Sequence, residues 1–267
     1  MTVWQAAILG LVQGVTEFLP ISSSGHLVLL QQLWHMSNSG LLFITCLHLG
    51  TLVAVVWAFR NEVRWLVTHP NDRMVRMLVL ALVPTALIGA VFEELFEDLF
   101  SSGVTVGFEF IMTGVVLWWM DTAPSGRKSD AEVTAADALW IGALQGAAIL
   151  PALSRSGLTI AAGLWRGLDR EAAARFSFLL SIPAILGATV VEMDDLFEDP
   201  SLWAATPWSA VALGTLAAAV AGYAAVKGTM WLLRTSRMRM FAVYVWAVAL
   251  FVLADQTLVH RWFPPLW

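Results

Sequence analysis

A chain of 267 residues that is 58% hydrophobic and only 13% charged is not an ordinary soluble domain, in which about a quarter of residues carry charge. It reads as an integral membrane protein, and its 14 tryptophans suit the two bilayer interfaces that favour the amphipathic indole. The net charge of −5 points to no partner, and a single cysteine, Cys46, excludes an internal disulfide and argues against redox chemistry.

The first residues, "MTVWQAAILG", carry no positive n-region and no small-residue cleavage site, so no signal peptide is expected. Crossing a bilayer takes about 20 apolar residues. The apolar stretch 3–19 ends in Pro20, gives way to the polar cluster "ISSSGH", and resumes as a short helix over 26–34. Proline removes a backbone donor and Ser/Gly favours turns, so this unit reads as helix–break–helix. Three spans follow, at 41–59, 77–92 and 104–120. A second broken unit comes next: 135–150, then Pro151 with "ALSRSGLT", then a short helix over 158–165. Spans at 176–191, 208–226 and 240–258 complete the chain.

Loop charge predicts the orientation. The segment from Arg60 to Arg76, the pair Arg127 and Lys128, and the segment from Lys227 to Arg239 are basic; Glu93 to Asp98 and Glu192 to Pro200 contain no Lys or Arg. The positive-inside rule places the basic loops in the cytoplasm and the acidic ones outside. Six crossings satisfy this only if each broken unit enters and leaves on one side. Both are therefore expected to be re-entrant hairpins, with both termini outside.

The halves also align. Gln13-Gly14 precedes Ser24-Gly25 at the spacing by which Gln145-Gly146 precedes Ser156-Gly157, with every number raised by 132. An odd number of crossings per half inverts the second copy. The expected fold is an all-α polytopic membrane protein: six transmembrane helices plus two re-entrant helix–loop–helix hairpins in an inverted-topology repeat. Residues 1–267 form one membrane domain, with 1–121 and 134–260 as the repeats and a site near the midplane.

The two breaks carry the chemistry. Arg155 is a permanent cation at membrane depth, where a charge costs about 2.5–3.5 kcal/mol on the lenient insertion scale, so it needs an anion. Around it lie the hydroxyls of Ser154, Ser156 and Thr159 and the amides of the helix opening at Gly157. The first break offers a similar set in Ser22, Ser24 and Gly25. Helix N-termini, hydroxyls and a guanidinium fork suit a phosphate or diphosphate. Beside such a ligand Glu17 either binds a divalent cation or exchanges a proton, and Gln13, one turn earlier, can add an amide oxygen. His26 can transfer protons. Ser23, Ser22 or an activated water could attack phosphorus. A structural ion pair between Glu17 and Arg155 is the plain alternative. Thr16 and Ser102 are expected to bond their own backbone, His48 to be structural, and Glu109 and Asp255 to be interfacial.

These residues carry a resemblance. "GVTEFLPISSSGHL", "LHLGTLVAVV", "LSRSGLTIAAGL" and "ARFSFLLSIPAILGA" resemble the undecaprenyl-diphosphate phosphatases, the integral-membrane family linked to bacitracin resistance, over essentially the whole chain. The family's first motif falls on Gln13 and Glu17, its serine and histidine on Ser23 and His26, and its arginine motif on Ser154, Arg155, Ser156 and Gly157, followed by Thr159. The resemblance implies hydrolysis of a C55 isoprenyl diphosphate, recycling the carrier for cell-wall synthesis. It implies dependence on Mg²⁺ or Ca²⁺ and a bacterial inner-membrane location with the site facing the periplasm. Gln13 stands where many members have glutamate, leaving Glu17 as the protein carboxylate for the ion; Ala152 stands where many have glycine. On this reading Glu17, Ser23, His26 and Arg155 are catalytic. Ser22, Ser24, Gly25, Ser154, Ser156, Gly157 and Thr159 bind substrate, and Glu17 with Gln13 holds the cation. The partners are the isoprenyl diphosphate and membrane lipid, with no nucleic acid and a homodimer left open. The rival is a lipid-phosphate flippase or anion transporter on the same repeat.

Overall fold

The computed structural model describes residues 1–36, 41–124, 126–198, 206–235 and 238–266. Helix α1 (Val3–Phe18) starts on a capping box, in which the Thr2 hydroxyl accepts from the Gln5 amide and the Gln5 side chain accepts from the Thr2 amide. Such a cap contributes about 1 kcal/mol. The helix stops at Phe18 because Leu19 turns extended ahead of Pro20. Helix α2 (Ser23–Leu33) follows at once. Helix α8 (Ala135–Ala147) repeats the start of α1 with a Thr134/Asp137 box, and α9 (Arg155–Trp165) repeats the length of α2, each with 11 residues.

Between these broken units run α3 (Leu41–Ala58), α4 (Arg60–Thr68), α5 (Arg73–Val91), α6 (Glu93–Ser102) and α7 (Val106–Thr122). After α9 come α10 (Arg170–Glu198), α11 (Trp208–Arg234) and α12 (Arg239–Ala254), which ends in a π-turn over Asp255–Val259. Among the described residues everything regular is helical. Four helices there are long and apolar enough to cross a bilayer: Arg73–Val91, Arg170–Val191, Trp208–Arg234 and Arg239–Val259. The pair Leu42–Ala58 and Arg60–Thr68, bent by 87°, supplies a fifth candidate. The expected span at 104–120 is α7, a helix of 17 residues.

Segments expected as loops are helical in whole or in part: residues 192–198 and 227–234 extend α10 and α11, and two other stretches form helices of their own. The basic stretch after Phe59 forms α4, which buries none of its residues, and the acidic stretch forms α6 with Glu93 and Glu94 in its first turn, where the helix dipole favours anions. Both are amphipathic, a pattern that a reading for spans passes over. The acidic segment expected at 192–200 lies, from 199 on, outside the described residues.

Each broken unit packs against the other half of the chain: α1 lies along α11, and α8 along α5. Small residues make this possible. A Cβ on Gly10 would sit 2.1 Å from the Gly214 carbonyl oxygen, and one on Gly142 only 1.8 Å from that of Ala81. Backbones this close are the usual way helices associate where lipid removes the hydrophobic drive. Thr16 and Ser102 bond their own helices, at Val12 O and Leu99 O, as expected, and His48 bonds the Ile44 carbonyl one turn back.

Two carboxylates correct the sequence reading. Glu109 and Asp255, expected at the interface, are 3% and 2% exposed. Asp255 accepts the amides of Arg261, Trp262 and Phe263 and so ties down the C-terminal segment. Backbone donors replace water there, so depth along a helix was the wrong guide.

Candidate active site

The two breaks meet inside the bundle, and their caps match. The Ser22 hydroxyl accepts from the Gly25 amide (3.3 Å), as the Ser154 hydroxyl does from Gly157 (3.1 Å). Ser22 also donates to the Pro151 carbonyl of the other break at 2.8 Å. Gly25 faces that break so closely that a Cβ there would fall 2.9 Å from the Ala152 Cβ and 2.7 Å from the Phe110 ring. Caps and close approach thus bring the first turns of α2 and α9 together.

Glu17 sits where those turns converge, only 7% exposed. Its Oε1 accepts from Arg155 Nη2. Its Oε2 accepts from Ser23 Oγ at 2.5 Å and from Gln13 Nε2 at 2.9 Å. Removing either partner of a buried ion pair like Glu17–Arg155 costs about 3–5 kcal/mol. Two buried atoms around this carboxylate lack any protein partner, the Arg155 Nη1 donor and the Gln13 Oε1 acceptor. An unmade hydrogen bond of that kind costs about 1–3 kcal/mol or more, so both are open positions for a ligand.

His26 is placed differently from Ser23. Its Nδ1 lies 2.6 Å from the Ser22 carbonyl oxygen and its Nε2 lies 2.9 Å from the Tyr244 hydroxyl. The Ser23 hydroxyl donates to Glu17, not to this ring. Thr159 is fully buried against α10, donating to the Arg155 carbonyl (2.8 Å) and accepting from the Ser177 hydroxyl (2.6 Å). The Ser156 hydroxyl donates to the Leu19 carbonyl at 3.3 Å, which again stitches the two breaks. Ser24 is half-buried in the first turn of α2.

Three residues escaped the sequence reading. Glu109 accepts the Ala152 amide at 2.6 Å and the Thr105 hydroxyl at 2.5 Å. Thr113, one turn on, donates to the Ala152 carbonyl (2.9 Å) and accepts the Ser154 amide (3.2 Å). Helix α7 therefore holds the backbone leading into Arg155. The i,i+4 spacing of Glu109 and Thr113 on an apolar helix was a usable signal. The third is Tyr244, one of two tyrosines in the chain.

The helices and this cluster define a multi-pass membrane protein whose paired helix breaks enclose a charged site suited to an anionic group. The sequence model described as bacitracin resistance protein BacA matches residues 6–251. An undecaprenyl-diphosphatase of Carboxydothermus hydrogenoformans is 48% identical over 256 residues, covering 96% of this chain and 98% of the relative. Undecaprenyl-diphosphatase 4 of Bacillus thuringiensis subsp. konkukian is 43% identical, covering 94% and 96%, and an undecaprenyl-diphosphatase of Halothermothrix orenii is 40% identical, covering 95% and 98%. The chain belongs to the bacitracin resistance protein BacA family.

Proposed function

We propose that this chain hydrolyses undecaprenyl diphosphate to undecaprenyl phosphate and phosphate, which recycles the lipid carrier for cell-wall synthesis and confers bacitracin resistance. The observation that carries the reading is the buried Glu17–Arg155 pair with one guanidinium nitrogen open, set at two facing helix N-termini. Nη1 of Arg155 and the first-turn amides take the terminal phosphate, whose charge competes with Glu17 for the guanidinium. Ser23 Oγ attacks the terminal phosphorus and passes its proton to Glu17 Oε2, its hydrogen-bond partner. The bond from phosphorus to the bridging oxygen breaks and undecaprenyl phosphate leaves. Water then attacks the phosphoserine, phosphate departs, and Ser23 recovers its proton. Arg155 neutralises the charge that builds on the phosphoryl oxygens, usually the largest single contribution to catalysis.

A divalent cation, Mg²⁺ or Ca²⁺, fits the donors present. Gln13 Oε1 is a buried acceptor without a partner beside the Glu17 carboxylate. Among the described residues no three His, Cys, Asp or Glu side chains gather; Glu17 and Gln13 would hold the ion together with substrate oxygens, as is usual for Mg²⁺. An ion held there would offset part of the negative charge of the diphosphate. Phosphate release from farnesyl diphosphate by purified protein in detergent tests the function. Release is expected without any gradient, is lost in EDTA and returns with Mg²⁺ or Ca²⁺. A protein that binds the lipid but releases no phosphate would be the transporter instead.

The membrane arrangement belongs to the same proposal. The chain crosses the bacterial inner membrane six times, with α1–α2 and α8–α9 as re-entrant hairpins of an inverted repeat and the site open to the periplasm. Support comes from the matched caps at Thr2/Thr134 and Ser22/Ser154 and from the exchanged packing of α1 and α8. A cysteine at Glu94, in a chain with Cys46 replaced by serine, is expected to react with an impermeant thiol reagent in intact cells. Labelling that appears only after lysis would reverse the orientation.

A further inference from the structure

Ser22, immediately before the proposed nucleophile, has φ 68° and ψ 109°. L residues rarely adopt such a backbone, and it persists only where the surroundings hold it. The Ser22 side chain is tied to Gly25 and Pro151. The carbonyl of the peptide leading into Ser23 is held by His26 Nδ1 at 2.6 Å.

The state of that ring follows from its partners. A carbonyl only accepts, so Nδ1 carries the proton, and in the neutral ring Nε2 accepts from the Tyr244 hydroxyl at 2.9 Å. Tyr244 also stacks on the ring, with centroids 5.6 Å apart and planes at 13°, while Phe110 meets it edge-on at 5.3 Å. The Ser22 carbonyl thus sets the tautomer of His26, and Tyr244, 218 positions away on α12, fixes the orientation of the ring.

The other break is an internal control. Its cap, Ser154, has an ordinary extended backbone at φ −77°. The position matching His26 there is Leu158, and the position matching Tyr244 is Met112. The strained backbone and the His–Tyr pair, which joins the two repeats, occur together at the first break and are absent together at the second. We propose that His26 and Tyr244 act as a strut that holds the left-handed Ser22 peptide and thereby aims Ser23 at phosphorus, which makes Tyr244 a positioning residue. The inference rests on Ser23 being the nucleophile.

Tyr244→Phe keeps the stacking and removes only the hydroxyl. It is expected to lower kcat for farnesyl diphosphate about tenfold, the loss of about one hydrogen bond in the transition state, with KM within about twofold and an unchanged thermal midpoint. His26→Asn keeps a donor near the Nδ1 position, so it should retain clearly more turnover than His26→Leu. In the His26→Asn background, which has no Nε2, adding Tyr244→Phe should cost nothing more. Wild-type kcat in Tyr244→Phe, equal loss in His26→Asn and His26→Leu (a proton-carrying ring), or the same tenfold loss in both backgrounds would each overturn the strut. Turnover retained by Ser23→Ala would remove the nucleophile and the strut with it. An inactive wild-type protein would instead sink the phosphatase reading itself.

Discussion

Arg155→Lys is expected to lower kcat by about 10²–10³-fold, the range seen when one preorganised donor to a developing oxyanion is lost. Arginine can serve two groups here at once: Nη2 reaches Glu17, and Nη1, without a protein partner, is the nitrogen proposed for the phosphate. An ammonium is a point charge on a flexible stem and cannot span both with a planar fork. Because the positive charge survives, Glu17 keeps a counter-ion, and the yield and elution profile of the purified protein should match the wild type. Phosphate release by the two proteins at saturating cation is the measurement. Near-normal turnover would make Arg155 a structural partner of Glu17 and move the phosphate site elsewhere.

Ser23→Ala and Glu17→Gln are expected to fail in different ways. Alanine removes the attacking oxygen, so Ser23→Ala should show no turnover above background at any Mg²⁺ or Ca²⁺ concentration. Glutamine keeps an oxygen beside Gln13 but loses the charge, so Glu17→Gln should need more cation, and raising it should recover part of the activity. The remainder should stay lost, because an amide cannot take the Ser23 proton that Glu17 Oε2 is placed to accept. A cation titration of phosphate release for the wild type and both variants separates these cases. Activity in Ser23→Ala would point to direct attack by water. Complete recovery of Glu17→Gln would confine Glu17 to the ion, and no recovery at unchanged cation affinity would leave it as base and Arg155 partner alone.

Much of this was legible in the residues. Pro20 and Pro151 marked where helices had to stop, since neither can continue a backbone ladder. The short helices expected over 26–34 and 158–165 start three residues earlier, at Ser23 and Arg155, because Ser22 and Ser154 cap them, a role the reading of these serines as break residues left out. The common offset that relates Gln13 to Gln145 appears in the structure as matched capping boxes and as glycines meeting the opposite half. Arg155 and Glu17 stood out because a charge in an apolar run has to be answered by something.

What the sequence by itself determined, then, was what depends on position along the chain: the long apolar helices, where two of them break, and which polar groups fall inside apolar stretches. The tertiary structure alone decided which of those groups touch. Ser23 and His26 are both in the first turn of α2, yet one faces Glu17 and the other the Ser22 carbonyl and Tyr244. Glu109 looked interfacial because hydropathy reports depth; its partner is an amide 43 residues away, delivered by the second break. Hydrogen bonds are short and directional, so the rotation of a helix about its axis and the identity of its neighbour select the partner. Both are set by how α7, α9 and α12 pack around α1 and α2, and local pattern carries no record of that.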